Sequence, residues 1–211
     1  MKSDELLEEM RRYGAVVSGH FIGTSGKHLD TYFAKDAIMP HTAFVSKLCS
    51  LIAEKALPLT PDVVVGPVAC GIIMSQWTAH HLSVLSGREV LSLFTDEVDH
   101  TQKLKRKYNR LVEGARVIVV EDVVNTGKSI TEVVEAVKEK GGNIVHAYSL
   151  VNRGDGPDAI VAERLGVPYE SLVYFPRVAY DEASVPAWLA AIPINTEYGH
   201  GGEHISGRKD N

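Results

Sequence analysis

Cysteine is scarce: the chain has only Cys49 and Cys70 in 211 residues, and no ligand-like spacing links them. That excludes a disulfide framework and a cysteine-based zinc site, and it fits a reducing, cytoplasmic setting. No staple is needed, because a chain of this length buries roughly 70% of its unfolded surface. Long apolar runs are missing as well. None approaches the ~20 residues of a membrane helix. The N-terminal Met-Lys-Ser-Asp-Glu-Leu-Leu-Glu-Glu-Met is acidic and amphipathic, so no secretory leader is expected. An excess of basic residues is absent too: 22 Lys and Arg stand against 27 Asp and Glu, a net charge of −5. Nucleic acid is therefore unlikely as the main partner. With no repeat or low-complexity tract, the expectation is a single domain over residues 1–211.

What is present is an alternation of helix and strand patterns. Ser3-Asp-Glu is a helix start, with Leu6, Leu7, Met10 and Tyr13 on one face and a stop at Gly14. Residues 15–36 predict short strands with turns at Gly19, Gly23 and Gly26. Pro40 opens a helix to about Lys55, with Phe44, Leu48, Leu51 and Ile52 as its core stripe. Val63–Val65 reads as a buried strand, followed by the Gly-bounded turn 66–71 and a helix over about 72–85. A strand near 90–94 precedes the polar stretch 95–110. Val117–Val120, a helix over about 128–140, Gly141-Gly142 and the strand 144–151 complete the series. Such β/α alternation predicts an α/β fold with a doubly wound, mainly parallel sheet flanked by helices. Ligands of such sheets bind at the carboxyl ends of strands.

The segment Val-Ile-Val-Val-Glu-Asp-Val-Val-Asn-Thr-Gly-Lys-Ser-Ile, residues 117–130, concentrates the chemistry. A β-branched run of this kind suits a strand buried on both faces. It ends in the carboxylates Glu121 and Asp122. Asn125–Ser129 then offers free backbone N–H groups, hydroxyls and an ammonium at a helix N-terminus, which together make an anion site. Acids beside such a turn match a sugar phosphate with vicinal hydroxyls. Gly127-Lys128-Ser129 also looks like the end of a nucleoside-triphosphate P-loop. That motif requires a glycine where Asp122 stands, and a carboxylate there would repel phosphates. A plain alternative is the acidic end of a core strand followed by an ordinary helix cap.

Glu-Asp-Val-Val-Asn-Thr-Gly-Lys-Ser resembles the phosphoribosyl-diphosphate (PRPP) signature of type I phosphoribosyltransferases, and other segments narrow the likeness to the orotate-type members. Residues 24–36 resemble the N-terminal hood of those enzymes, with Lys27, Tyr32 and Phe33 on the positions that meet PRPP and cover the base; Thr24 stands where many members have lysine. Gly66–Ile72 resembles the diphosphate loop, with Ala69, Cys70 and Gly71 at its centre; some members place lysine at Cys70. By position, residues 95–110 would be the mobile catalytic loop, with Lys103, Lys105 and Arg106 toward the leaving diphosphate and His100 near a loop histidine of some members. Arg153 matches the arginine that meets the orotate carboxylate. The C-terminal Ile192–Gly201 resembles a tail of some relatives.

This resemblance implies a hood over 1–38, a PRPP-binding core over 39–175 and an extension over 176–211. It implies transfer of the phosphoribosyl group from PRPP to a nucleobase, orotate first, in pyrimidine nucleotide synthesis. Glu121, Asp122, Val123, Val124, Asn125, Thr126, Gly127, Lys128 and Ser129 would hold the donor. Asn125, Tyr32, Phe33 and Arg153 would serve the base, and Asp122, Glu121, Lys103, Lys105 and Arg106 would act in catalysis. Mg²⁺ is implied, held by substrate oxygens and water near Glu121 and Asp122 rather than by direct protein ligands, and a homodimer is implied as well. Two other functions fit the same motifs: purine salvage by a purine phosphoribosyltransferase, or a PRPP-sensing regulator that binds nucleic acid.

Overall fold

The computed structural model describes residues 2–154 and 156–207, with the side chains of Arg106 and Ser206 outside that description. Helix α1 (Ser3–Arg12) precedes strands β1 (Val16–Ile22) and β2 (His28–Phe33). Then come α2 (Thr42–Ala56), β3 (Val63–Pro67), α3 (Cys70–Ser86), β4 (Leu91–Val98) and β5 (Thr101–Leu104). A short α4 (Asn109–Val112) leads to β6 (Arg116–Val124), α5 (Lys128–Glu139), β7 (Asn143–Asn152), α6 (Asp158–Leu165) and β8 (Tyr169–Tyr174). The C-terminal segment carries β9 (Ala179–Tyr180), α7 (Ala187–Ala190) and α8 (Gly201–Gly207). Two compact units result: His41–Phe175, and the residues up to Pro40 together with those from Pro176. Among the described residues no helix is long and apolar enough to cross a membrane.

The larger unit is a six-stranded sheet in the order β5-β4-β3-β6-β7-β8. Its ladders are parallel except for the antiparallel β4–β5 pair. The doubly wound arrangement expected from the β/α alternation is therefore the observed one. Helix α5 shows why these residues fold as they do. Ile130, Val133, Val134 and Val137 recur at helical spacing, and all are buried against Val63, Val65, Val117 and Val119. Strand alternation turns Val64, Ile118 and Val120, equally buried, to the opposite face, on which α2 and α3 pack. Each such side chain contributes roughly 1.5–3 kcal/mol when fully buried. The chain leaves β3 toward β4 on one side and later returns to β6 on the other. The crevice at the carboxyl ends of β3 and β6 is thus a topological switch point, where open α/β sheets bind their ligands.

The stretch expected as a loop over 95–110 is a β-hairpin. Strand β4 runs on to Val98 and β5 pairs back on it, with Thr95 opposite Leu104 and Val98 opposite Thr101. Asp99 and His100 form the two-residue connection, both left-handed at φ 51° and 59°. Alternation buries Gln102 and Leu104 and leaves Thr101 and Lys103 exposed. The hydroxyl of Thr95 donates to Oε1 of Gln102 at 2.5 Å. A turn of 3₁₀ helix over Arg106–Tyr108 and then α4 complete the connection to β6.

The smaller unit is built on the antiparallel sheet β1-β2-β9. Gly19 does not make a turn but lies inside β1, where the register shifts between Ser18 and Phe21. The turn proper spans Gly23–Lys27, closed by the Gly23 N–H on the Lys27 carbonyl at 2.9 Å. The C-terminal segment joins this same unit. Asn195 N–H donates to His20 O at 2.7 Å and His200 N–H to Ile22 O at 2.9 Å. The Nδ1–H of His20 donates to the Ile192 carbonyl at 2.9 Å, so its Nε2 accepts from His28 Nδ1 at 2.6 Å.

Candidate active site

Strand β6 carries Glu121 and Asp122 to the switch point, where they are 6% and 3% exposed. Two adjacent carboxyls so far from water cannot both ionise at ordinary cost. Burial first, then repulsion and a side-chain hydrogen bond with Asp122, pushes the Glu121 carboxyl up to about 8, against a weaker lowering hydrogen bond with Ser129. Backbone amides hold the pair: Asp122 N–H donates to Glu121 Oε1 at 3.1 Å, and Val123 N–H to Asp122 Oδ1 at 2.6 Å. Beneath the pair, Ser149 is the β7 partner of Glu121 and shares a 2.6 Å hydrogen bond with the Tyr169 hydroxyl.

The turn that follows is shaped by Gly127, whose φ of +78° caps α5 in a conformation L side chains rarely adopt. Lys128 N–H reaches the Thr126 hydroxyl at 3.4 Å, and the Thr131 hydroxyl donates to the Gly127 carbonyl at 2.6 Å. From α6, the Arg164 guanidinium donates to the Thr126 carbonyl and braces the turn from behind. A cleft of about 380 Å³ opens here. It is lined by Glu121, Val123 and Val124 of β6, by Asn125–Ser129, and by Ile130 and Glu132 of α5. Glu121 and an amide-rich helix start therefore share one concavity, whereas Asp122, buried beside Glu121, is not among its lining residues.

Val68, from the loop after β3, lines the same cleft. This loop depends on close backbone approach. A Cβ on Gly66 would lie 2.2 Å from the Gly71 carbonyl oxygen, and one on Gly71 would lie 2.4 Å from Pro67 Cδ. Both glycines are thus required for the loop to fold back on the start of α3. Ala69 is exposed and precedes α3, Cys70 is half-buried as its first residue, and Gly71 is buried; the Val68–Ala69 peptide is cis.

The hairpin forms the remaining wall, through Glu97, His100 and Gln102. Lys103 and Lys105 are not among the lining residues. Lys103 is exposed on the opposite face of β5, while Lys105 lies 3.3 Å from Asp96 and 4.5 Å from the Phe94 ring centroid. The Arg106 side chain falls outside the described residues. Val68, Glu97 and Gln102 lie in the two loop segments singled out in the sequence but have no role assigned there, and Glu132 and Arg164 lie outside every segment singled out for chemistry. The one available signal was the four-residue spacing of Lys128 and Glu132, whose charged groups stand 3.7 Å apart.

Arg153 follows β7 and is buried, its guanidinium 5.1 Å from the Phe175 ring centroid. Its N–H donates to the Val124 carbonyl at 2.7 Å, which lays the Arg153-Gly154 loop against the anion turn. A hollow of about 110 Å³ between Asn125, Thr126, Gly154 and Arg164 marks that junction. Lys27, Tyr32 and Phe33 belong to the smaller unit. There Lys27 pairs with Asp181 at 3.3 Å, Tyr32 lies between Phe21 and Tyr198 at ring distances of 5.6 and 5.2 Å, and Phe33 is buried.

Among the described residues no three His, Cys, Asp or Glu side chains are arranged to hold a metal ion. A hard cation such as Mg²⁺, which keeps most of its water and arrives with a ligand's own oxygens, could still be met through water by the oxygens of Glu121 and Asp122.

Comparison with known proteins gives a consistent likeness. A model of the phosphoribosyl transferase domain matches residues 35–176. Orotate phosphoribosyltransferase 2 of Mesorhizobium japonicum is 36% identical over 196 residues, covering 92% of this chain and 95% of that protein. Among solved structures, orotate phosphoribosyltransferase of Mycobacterium tuberculosis H37Rv in complex with inorganic phosphate is 27% identical with a TM-score of 0.62, over 81% of this chain and 94% of that one. The same enzyme in complex with 5-phospho-alpha-D-ribosyl 1-diphosphate superposes with a TM-score of 0.61 at 24% identity, over the same shares of the two chains.

Proposed function

This chain belongs to the phosphoribosyltransferase family, and from that premise we propose that it transfers the 5-phosphoribosyl group of PRPP to orotate, giving orotidine 5-monophosphate and diphosphate. The observation that carries the reading is the buried Glu121 carboxyl and an amide-rich helix start lining one cleft at the switch point, with the buried Asp122 next to Glu121 in the same strand. Relatives at about 35% identity over 92% of the chain are named orotate phosphoribosyltransferases, which supports orotate over a purine.

In this reading the N–H groups of Asn125–Ser129 and the hydroxyls of Thr126 and Ser129 receive the 5-phosphate. Glu121 and Asp122 accept hydrogen bonds from the ribose 2- and 3-hydroxyls and lie near C1 as positive charge develops there. Glu121 ionises as those donors arrive, because each hydrogen bond to its carboxylate favours the charged form. Mg²⁺, if it arrives with the donor near Glu121 and Asp122, would supply positive charge opposite the diphosphate. The Gly66–Gly71 loop borders the space that diphosphate would occupy. Arg153, held by Val124, would meet the orotate carboxylate as a two-pronged donor. A ring nitrogen of orotate is itself the nucleophile: its bond to C1 forms as the bond from C1 to diphosphate breaks, and its N–H proton passes to water or to the departing diphosphate, so no protein nucleophile is needed. Positioning and electrostatics supply the rate gain.

Lys27, Tyr32 and Phe33 are proposed to serve the donor and the base, and Lys103, Lys105 and Arg106 to act on the diphosphate in a homodimer. Ile73 and Val84, exposed along α3, offer an apolar face of the kind such an assembly buries. We place the protein in the cytoplasm, in keeping with two cysteines that form no disulfide. Turnover of PRPP and Mg²⁺ with a panel of bases tests the assignment. Diphosphate release with orotate alone is the expected result. Release with adenine, guanine, xanthine or hypoxanthine would make it a purine enzyme, and no release with any base, together with salt-dependent nucleic-acid binding, would make it a regulator.

A further inference from the structure

Glu132 makes two contacts that no other cleft residue combines. Its Oε2 accepts the backbone N–H of Gln102 at 3.1 Å, and its Oε1 stands 3.7 Å from Lys128 Nζ. The Glu132 side chain is 15% exposed, whereas that of Lys128 is 70% exposed. Gln102 is fixed on its other side by Thr95, and Leu104, two residues on, is part of the core. One carboxylate on α5 thus joins the anion turn to the hairpin wall across from it. Charge sharpens the point. Among the described lining residues Lys128 carries the single ammonium; Glu132 is the carboxylate set against it, while Glu97 stands 3.5 Å from His100.

We infer that Glu132 is a positioning residue: it anchors the β4–β5 hairpin through the Gln102 amide and holds Lys128 in reserve, so that an anion entering the turn must draw Lys128 from it. The anchoring depends on an acceptor oxygen and the reserve on a negative charge, and two substitutions separate them. Glu132→Gln keeps an oxygen for the Gln102 N–H and removes the charge. Glu132→Ala removes both. The inference rests on the cleft being the anion site of the proposed reaction, and two of its three readouts need no turnover.

The test uses the full-length wild type and the two variants. Hydrogen exchange at the Gln102 amide should be equal in wild type and Glu132→Gln, and about 10-fold or more faster in Glu132→Ala. Inorganic phosphate, titrated at low salt, should bind Glu132→Gln roughly 3- to 10-fold more tightly than wild type, with the gain shrinking as salt is added. The KM for PRPP should fall by a similar factor in Glu132→Gln with kcat within about 2-fold. Wild-type exchange at Gln102 in Glu132→Ala, or unchanged phosphate affinity in Glu132→Gln, overturns the inference, as does an absence of phosphate binding to either protein. Should Glu132→Ala fail to fold, the phosphate arm on Glu132→Gln decides alone. A wild type that binds phosphate and shows the expected exchange but never consumes PRPP would reject the proposed reaction and leave this inference standing.

Discussion

Replacing Glu121 by Gln should remove most of the protein's loss of stability toward alkaline pH. In the folded chain the Glu121 carboxyl is raised from 4.5 to about 8, chiefly because it is buried. The unfolded chain gives up this proton near pH 4.5, while the folded one keeps it until about pH 8. Between those values the native state binds more protons, so stability must fall as pH rises, and the loss is complete above pH 8. At about 1.4 kcal/mol per pH unit, moving from about pH 5.5 to about pH 8.5 should cost the wild type on the order of 3 kcal/mol that Glu121→Gln does not lose. Gln has the shape of the protonated acid, so the variant should fold at every pH. Urea denaturation of both proteins at about pH 5.5, 7 and 8.5 reads the difference directly. Parallel curves, separated by a constant offset, would refute the claim that burial keeps the Glu121 carboxyl protonated at neutral pH.

Other perturbations reach different parts of the site. Asp122→Asn should cut kcat/KM by about 10²-fold or more, roughly 3 kcal/mol of lost transition-state stabilisation, with a thermal midpoint near that of the wild type; near-normal turnover would remove Asp122 from the mechanism. Gly66→Ala places a Cβ 2.2 Å from a backbone carbonyl oxygen. It should lower the thermal midpoint by roughly 3–10 °C and raise the KM for PRPP more than that for orotate, as paired melting and initial-rate measurements would show. His20→Ala deletes the hydrogen bonds to the Ile192 carbonyl and to His28. Limited proteolysis should then clip the C-terminal segment several-fold faster while leaving 41–175 protected; an unchanged cleavage rate would mean that the histidine pair does not hold the tail.

The centre of the fold was readable because local signals agreed there. Val117–Val120 is β-branched throughout, the acids follow at once, and Thr126-Gly127 marks a turn before a helix with a clear apolar stripe. Strand β6 nevertheless runs on through Val124, so the acids sit within the strand rather than after it. The hairpin was hidden by its polarity. Only Val98 and Leu104 in 96–105 are apolar, and an Asp-His connection lacks the glycine that usually marks a two-residue turn. Strand alternation then decided the site's composition, sending Gln102 toward the cleft and Lys103 away from it, the reverse of what charge alone suggested. The part played by Glu132 was illegible for another reason. A Lys and Glu four residues apart occur on many solvated helices, and only the arrival of the Gln102 amide from a distant strand distinguishes this pair. Likewise, the joining of the C-terminal segment to the N-terminal sheet rests on contacts such as Asn195 with His20, which no local pattern encodes.

The central claim is that the acid pair of β6 and the turn after it hold an activated ribose phosphate. A crystal structure of the protein with PRPP and Mg²⁺ tests it most directly. The account predicts density for the 5-phosphate against residues 125–129 and for the ribose hydroxyls on Glu121 and Asp122. Donor density anywhere else, with this cleft filled only by solvent, would contradict it.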